Sequence, residues 1–414
     1  MLAAVDTLVV CYTGANEHTG QLRPPAVPLG ELLDALDVTT AEPVRERVVV
    51  RHPLQPFDVR NFTGGPVGAA RAFSFDRAAL AGAQAATAAR HDRVPFLSGP
   101  LGPAGLGDVG LGDLQSFLAH PIRAFMRQRL DVAVADELSE LDDAIPIELD
   151  ALTRWGIGDR ILRQVLAGAD ASAVCFDELC RGELPPGEMG TRELTQIVAR
   201  IQSLANATAS LRTSEPRTVE VTVDLGGERR LTGAVRDVRG DRLVRVHYAN
   251  LAAKHRLGSW LELLALAAAF PDRPWTAHTV GWHPTGAAQQ SVISAPADPL
   301  ATLRDLVDLR DRGLREPIPL PPRTAYAWAD ALRARKDPTW DASNVWDGGG
   351  GHSRVPPENA DPFHVHAFGA KSKSGVLQGE TRPDERWNGQ THRLGQYAVR
   401  LWQPRFDHEQ VAQL

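Results

Sequence analysis

The chain has 414 residues, which is enough for two or three domains, and its hydrophobic content of 43% is ordinary for a globular protein. No apolar run is as long as a membrane-spanning helix requires, so we expect no contact with a membrane. The net charge of −6 disfavours a free-standing nucleic-acid-binding module, although a local basic groove remains compatible with it. The three cysteines, an odd number, disfavour a disulfide framework and favour the reducing cytoplasm.

The first seventy residues combine short apolar segments with proline-rich connections. Val5–Tyr12 has the pattern of a short buried strand, and Val48–Val50 predicts another. Pro28–Leu36 has helical spacing, whereas the prolines within His52–Phe62 predict irregular structure. A strand this close to Met1, with so little around it, suggests that the segment is the last part of a larger domain.

The next segment is rich in glycine, alanine and proline. A helix is predicted over Arg77–Arg90, and Ser98–Gly107 has the composition of a linker. We therefore expect a second domain to begin near Asp113.

Leu111–Leu130 is the most informative segment of the chain. Its apolar residues recur at helical spacing, and Pro121 divides the run because proline suits the first turn of a helix and not its interior. Two short helices are therefore predicted to meet at His120 and Pro121, with His120 in a packing or capping role.

In the remainder of the chain the sequence pattern predicts helices on either side of an antiparallel meander. The meander has strands at Val219–Leu225, Leu231–Val238 and Leu243–Tyr248, with turns at Gly226-Gly227 and Gly240-Asp241. Helices are predicted at Ile147–Leu152, Arg160–Leu166, Arg192–Leu211, Leu257–Phe270 and Leu300–Arg312, the last closed by Gly313. Leu314–Pro322 is predicted to be extended, and Asp341–Pro362 to be a loop.

Several phrases of the sequence, in their order, resemble the RecC family, the gamma subunit of exodeoxyribonuclease V. These segments are Leu111–Leu130, Pro56–Phe62 and Arg181–Gly187. The resemblance implies an α/β protein in which the remnant of a helicase-like α/β domain precedes a degenerate PD-(D/E)xK nuclease-like domain. We place the remnant at residues 1–70, a helix with its linker at 71–112, and the nuclease-like domain at 113–414. Because the family is much longer than this chain, we expect a fragment or a misplaced start.

The resemblance also locates the positions at which an active nuclease of this fold holds its metal. The first strand should carry an acid in a Gly-x-x-Asp context, but Gly233–Arg236 ends in arginine. The next strand should carry Asp/Glu-x-Lys, but Val246 and Tyr248 replace the acid and the lysine. Asp237 is displaced by one residue from the expected position, and on a strand a one-residue shift points the side chain to the opposite face. Since arginine and valine cannot ligate Mg²⁺, we predict no catalytic and no metal-binding residue here.

By this resemblance, the chain is a non-catalytic, RecC-like subunit of a complex with RecB-like and RecD-like subunits. The complex uses ATP and Mg²⁺ to unwind and degrade double-stranded DNA ends for recombinational repair, and this chain acts as a scaffold and a channel for the DNA strands. An alternative from a different class is a PD-(D/E)xK nuclease with a rearranged active site that cuts DNA directly.

Basic residues lie around the degenerate position, and they are the candidate contacts to nucleic acid. The candidates are Arg236, Arg245, His247, Lys254 and Arg256. Cations of this kind bind the phosphates of single-stranded DNA, so that a strand passes without being cut. The alternative is an ordinary solvated face of the sheet.

Other chemistry is not indicated by the sequence. The chain has no Gly-x-x-x-x-Gly-Lys-Ser/Thr phosphate-binding loop, so we predict no ATP hydrolysis by the chain itself. Asp361, His364 and His366 could suggest a metal, but a packing role is favoured because the family has an Asp-Pro-Phe phrase nearby. Cys175 and Cys180 have no second pair with which to complete a zinc site. We therefore predict no cofactor bound by this chain.

Overall fold

The structure is a computed structural model, and it is described for residues 6–16, 19–64, 71–89, 96–103, 105, 107–133, 148–348, 356–369 and 376–414. The chain divides into two compact units, Met1–Val94 and Pro95–Leu414. The predicted boundaries near residues 70 and 112 stay a prediction.

The first unit contains short helices and little buried surface in its described part. The helices are α1 (Val27–Val38), α2 (Arg45–Val48) and α3 (Arg77–Thr87), with a 3₁₀ turn at Val59–Asn61. The buried side chains of these elements are Leu33, Asn61 and Ala83. Asn61 donates from Nδ2 to the carbonyls of Gln55 and Pro56, which holds the proline-rich segment in place.

Two strands predicted in this unit are wrong. Residues 6–12 have no regular secondary structure, and their side chains are exposed. Val48 ends α2, and Val49 and Val50 continue without strand pairing. An apolar run becomes a strand only where another strand is available to satisfy its backbone groups, and these runs have none among the described residues.

The second unit is built, over its described residues, on one seven-stranded mixed sheet. Its strands are β1 (Val109–Gly110), β2 (Arg217–Gly226), β3 (Arg229–Arg239), β4 (Arg242–Asn250), β5 (Thr276–Trp282), β6 (Ala288–Ser294) and β7 (Glu409–Gln413). The predicted meander is confirmed, because β2 with β3, and β3 with β4, are antiparallel. β5 is parallel to β4, and β6 and β7 continue the sheet in antiparallel fashion. The fold is therefore α/β, as predicted.

The helices cover both faces of this sheet. They are α4 (Leu111–Ala119), α5 (Pro121–Ala124), α6 (Ala151–Leu166), α7 (Ala171–Cys180), α8 (Glu188–Ala207), α9 (Ala253–Ala269), α10 (Pro299–Gly313), α11 (Pro322–Arg333), α12 (Pro338–Asp347), α13 (Pro362–Phe368) and α14 (Arg393–Phe406). Helices α4, α9, α10, α11 and α14 share the larger hydrophobic core, which includes Leu243 and Ala277 of the sheet. Helices α6, α7 and α8 pack in a second core with Tyr248 and Val280.

Three predicted features of this unit differ in the structure. One helix, α6, replaces the two predicted over residues 147–166, because Asp150 caps it by accepting from the N–H groups of Leu152 and Thr153. Helix α12 occupies part of the predicted loop at 341–362, whereas residues 349–355 lie outside the described residues. Gly313 belongs to α10, and its small size admits the ring of Phe117, since a Cβ there would stand 2.4 Å from that ring.

Candidate functional site

The first position of interest lies on β3, where Arg236 was predicted to stand in place of the metal-binding acid, three residues after Gly233. Gly233 packs against α4, because a Cβ there would stand 2.6 Å from the Cβ of Leu111. Arg236 is exposed, and it makes no hydrogen bond or ion pair within the described part of the chain. The backbone bulges here, since Arg236 and Asp237 together lie opposite the one residue between Arg217 and Val219.

The bulge decides the orientation of Asp237, which was the nearest carboxylate to the lost acid. Its φ of 54° is in the left-handed region, which a non-glycine residue rarely adopts. Its carboxylate accepts from Arg239 Nε at 3.1 Å, and Arg239 also donates to the carbonyls of Arg212 and Ser214. Asp237 therefore fixes the end of β3, and its carboxylate is occupied by Arg239.

The second position lies on β4, where Val246 and Tyr248 were predicted to replace the acid and the lysine of an active nuclease. Both side chains belong to the core formed with α6 and α8. Tyr248 is buried against Gly158 of α6, at which a Cβ would stand 2.0 Å from Tyr248 Cε1. The guanidinium of Arg200 lies 5.6 Å from the centre of the same ring. Helix α6 thus covers the face of β4 that carries Val246 and Tyr248.

The opposite face of β4 carries Arg245 and His247. The Arg245 guanidinium binds Glu262 of α9, with Nη2 2.9 Å from Oε2. The His247 ring stacks on His255 of α9, with the ring centres 4.1 Å apart. Burial, together with the positive charge of Arg245, lowers the pKa of His247 to about 4. Burial and the neighbouring His247 lower the pKa of His255 to about 3, so both rings are neutral near pH 7.

The last two candidates lie in the first turn of α9. Lys254 is exposed and has no ion pair among the described residues, whereas Arg256 is buried. Arg256 Nη1 is 3.3 Å from Glu409 Oε1, and its Nη2 donates to the hydroxyl of Tyr326. The structure therefore brings Arg256 into an internal ion pair, and it leaves Lys254 and Arg236 as cations available to a ligand.

A cavity of about 920 Å³ opens beside the start of α9. Lys254 and Arg256 line it together with apolar side chains that include Leu257, Tyr326 and Trp402. Its lining also includes Asp330 and Asp341, so it carries both signs of charge, and its size suits a small organic molecule. Sequence reasoning missed the cavity, because α4, α9, α11 and α12 form it from distant parts of the chain.

A group of potential metal ligands lies elsewhere, near the start of α13. His120, Asp361 and His364 place one ligand atom each within 4.8 Å of the others, and this is the one such group among the described residues. The sequence had suggested Asp361 and His364 with His366, whereas the structure brings in His120 from the α4–α5 junction. Burial raises the pKa of Asp361, but the hydrogen bond from His120 outweighs it and lowers that pKa to about 2.

Two further observations bear on the sequence-based predictions. The cysteines are free thiols, so Cys175 and Cys180 do not form a disulfide. In the described part of the chain, none of the helices has the length and apolar character needed to cross a bilayer.

Comparison with known proteins gives one consistent result. The family profile of the RecC C-terminal domain matches residues 106–333. The chain is 45% identical over 404 residues to the RecBCD enzyme subunit RecC of Mycobacterium tuberculosis H37Rv, which covers 97% of this chain and 36% of that protein. Identity is 44% over 405 residues to the subunit of the same name in Mycolicibacterium smegmatis, which covers 98% of this chain and 37% of that protein. Identity to the RecBCD enzyme subunit RecC of Escherichia coli K12 is 27% over 345 residues, an alignment that covers 79% of this chain and 29% of that protein. The chain thus spans about a third of the length of these relatives.

Proposed function

The chain belongs to the RecC family, and on that premise we propose that it acts as the non-catalytic gamma subunit of a RecBCD-type enzyme. In this proposal it is a scaffold and strand channel within a complex that unwinds and degrades double-stranded DNA ends for recombinational repair. RecB-like and RecD-like partners supply the sites for ATP and Mg²⁺. The names of its relatives support this assignment.

The arrangement of the second unit supports a degenerate nuclease-like fold. The meander β2–β3–β4 leads through α9 to β5, and β5 pairs in parallel with β4. A meander followed by a helix is the arrangement of the PD-(D/E)xK nuclease fold, to which the resemblance points. For residues 1–70 we keep the proposal of a helicase-like remnant, and the small number of buried side chains among its described residues agrees with a segment that belongs to a larger domain.

The observation that carries the non-catalytic proposal is the filling of the metal-binding positions. Arg236 occupies the acid position of β3, and the Tyr248 ring occupies the lysine position of β4 against the backbone of Gly158. A cation at the first position would meet a guanidinium, and one at the second an aromatic ring, in place of hard oxygen ligands. The proposal therefore predicts a surface that contacts DNA without cutting it.

The test is a cleavage assay on the purified chain, alone and together with a RecB-like and a RecD-like partner. Labelled linear duplex and single-stranded DNA are incubated with Mg²⁺ or Mn²⁺, with and without ATP. We expect no cleavage and no ATP hydrolysis by the chain alone, and co-purification with the RecB-like partner. Metal-dependent cleavage by the chain alone that is lost in Asp237→Ala would favour the alternative, a nuclease with a rearranged active site.

A further inference from the structure

The side chain of His364 presents a buried nitrogen that has no partner. His364 has a relative solvent exposure of 1%, and its Nε2 makes no hydrogen bond within the described structure. The other nitrogen, Nδ1, lies 2.8 Å from the carbonyl oxygen of Glu358. A carbonyl only accepts, so Nδ1 carries the proton and Nε2 presents a lone pair. A buried polar atom without a partner requires an explanation, and an absent water or ion is one of the usual ones.

Apolar rings surround this imidazole and fix its position. The ring centre of Trp346 lies 5.5 Å away and that of Phe368 lies 6.4 Å away. On the remaining side it meets the ring of His120, at 4.9 Å. His120 and Asp361 are the side chains that bring a potential ligand atom within 4.8 Å of a nitrogen of this imidazole.

Asp361 is positioned so that one of its oxygens remains for a ligand. Its Oδ1 accepts from the backbone N–H groups of Phe363 and His364, which caps α13. Its Oδ2 lies 3.2 Å from His120 Nε2. The carboxylate is thus held by the backbone on one side and faces the two imidazoles on the other.

From these contacts we propose that His120, Asp361 and His364 bind a first-row divalent metal ion, for which Zn²⁺ is the best fit. Two imidazoles and one carboxylate are a common zinc ligand set, and three protein ligands leave one position open. Ligand atoms on a tetrahedral zinc lie about 3.3 Å apart, given bonds of about 2.0 Å. The His120–Asp361 separation already has this value, and all three ligand atoms lie within 4.8 Å of one another.

The surroundings of His364 have the form found around metal-bound histidines. Such a ligand typically donates its second ring N–H to a backbone carbonyl or a carboxylate, which fixes the tautomer. The bond from His364 Nδ1 to Glu358 has this role. The ion would join the α4–α5 junction to the start of α13, which are 241 residues apart in sequence.

The competing explanation is a plain hydrogen bond from His120 to Asp361. In the metal-free chain His120 Nδ1 accepts from the N–H of Arg123 at 3.2 Å, so the proton of the ring is on Nε2 and points to Asp361. Metal binding at Nε2 moves that proton to Nδ1, breaks the bond from Arg123 and releases no net proton. The plain hydrogen bond leaves His364 Nε2 unexplained, and for that reason the metal is favoured. The inference is independent of the proposed function, and it replaces the prediction that this chain binds no metal.

The experiment uses the full chain without a polyhistidine tag, stripped of metal by a chelator and titrated with Co²⁺ and then with Zn²⁺. We expect one equivalent of Co²⁺ to produce visible ligand-field absorption, and Zn²⁺ to displace it. Zn²⁺ should also raise the melting temperature, since it binds only the folded chain.

Variants then assign the ligands. His364→Gln and Asp361→Asn should weaken Zn²⁺ affinity by about tenfold or more, because each removes a ligand. The matched control is His366→Gln, on the same helix but outside the group, and it should bind as the unmodified chain does. Circular dichroism shows whether each variant folds, and the Co²⁺ spectrum of the unmodified chain tests the proposal without any variant. Absence of ligand-field absorption, or equal affinity in His364→Gln and His366→Gln, would overturn it.

Discussion

The ring of Tyr248 on β4 lies directly against the backbone of Gly158 on α6, at a separation that leaves no room for a Cβ. A methyl group at residue 158 would stand 2.0 Å from Cε1, 2.3 Å from Cδ1 and 2.5 Å from Cζ of the tyrosine. The absence of a side chain at residue 158 therefore allows α6 to pack closely on the face of β4 that carries Val246 and Tyr248.

Gly158→Ala should destabilise the second unit, because neither the helix nor the buried ring can move without disturbing the core. Overpacking of this kind costs about 1–3 kcal/mol of unfolding free energy. The matched control is Gly156→Ala on the same helix, at which a Cβ would meet only the tip of Arg160, at 3.7 Å. That change should be neutral or stabilising by up to about 1 kcal/mol. Urea unfolding followed by tryptophan fluorescence measures both, and equal midpoints would contradict the packing argument.

A second prediction concerns two buried arginines that share one carboxylate. Arg405 has no exposed surface, its Nη1 lies 2.7 Å from Glu409 Oε1, and burial lowers its pKa to about 10. Arg256 approaches the same oxygen at 3.3 Å, and the hydroxyl of Ser291 donates to it at 2.6 Å. Glu409 thus holds β7 to the sheet and compensates buried positive charge.

Glu409→Gln should reduce the unfolding free energy by about 3–5 kcal/mol, because it leaves buried cations without a counter-charge. Glu215→Gln is the control, since Glu215 is exposed on the approach to β2, and it should change stability by less than about 0.5 kcal/mol. Thermal unfolding of the two variants is sufficient to compare them. A loss no larger in Glu409→Gln than in the control would show that the arginines find other partners.

The sequence predicted the centre of this fold better than its periphery, for a physical reason. The alternation of Val219, Val221 and Val223 determines a strand locally, and β2 formed where it was predicted. The run at Val5–Tyr12 has a similar apolar content, but strand formation also depends on a partner that the sequence does not indicate. The start of α12 could be predicted locally, since Asp337 caps it and Pro338 lies in its first turn, yet the glycines that follow it at 348–351 suggested a loop.

Prediction of the candidate sites was limited in the same way, because tertiary partners are not indicated by a local sequence pattern. That Arg236, Val246 and Tyr248 stand where an active nuclease would carry metal ligands is a prediction from the sequence. Which cations are neutralised is not visible, because Glu262 and Glu409 reach Arg245 and Arg256 through tertiary packing. Likewise, His120 meets Asp361 only because α5 packs against α13, and no local pattern could have joined them.

A third prediction follows from the stacked histidines. The pKa values of His247 and His255 are lowered from the usual 6.5 to about 4 and about 3, mainly by burial. The unfolded chain therefore binds protons below pH 6.5 that the folded chain excludes, so the stabilising contribution is present above pH 6.5 and is lost as the pH falls toward 4. The positive charges of Arg245 and Lys254 further lower the pKa of His247. Lys254 also lowers the pKa of His255, whereas the negative charge of Asp159 raises it.

Between pH 7.5 and pH 5.5, each histidine that stays neutral in the fold should cost about 1.4 kcal/mol of unfolding free energy. His247→Gln should reduce the acid loss by about that amount relative to the unmodified chain, as judged from urea midpoints at the two pH values. Repeating the series at high salt separates the causes, because salt screens the charges of Arg245 and Lys254 but not the burial. An unchanged pH dependence in the variant would mean that His247 is accessible to protons.

The final prediction tests the proposed nucleic-acid surface with Arg236 and Lys254, whose side chains have no ion-pair partner among the described residues. Arg236→Glu and Lys254→Glu should each weaken binding of single-stranded DNA by the assembled complex. The weakening should shrink as salt rises, because release of counterions from the phosphates drives such contacts. Arg192→Glu, at an exposed arginine of α8, makes the same charge change away from β3 and α9 and is the control.

Fluorescence anisotropy of a labelled oligonucleotide over a range of salt concentrations gives the slope of log affinity against log salt. Each lost phosphate contact should reduce the magnitude of that slope by about 0.7 for a single strand. Arg245→Glu should act differently, because it breaks the ion pair with Glu262 and places two carboxylates together, so its main effect should be on stability. If Arg236→Glu and Lys254→Glu leave the slope at the value of Arg192→Glu, these residues form an ordinary solvated face of the sheet, and the strand channel must lie elsewhere.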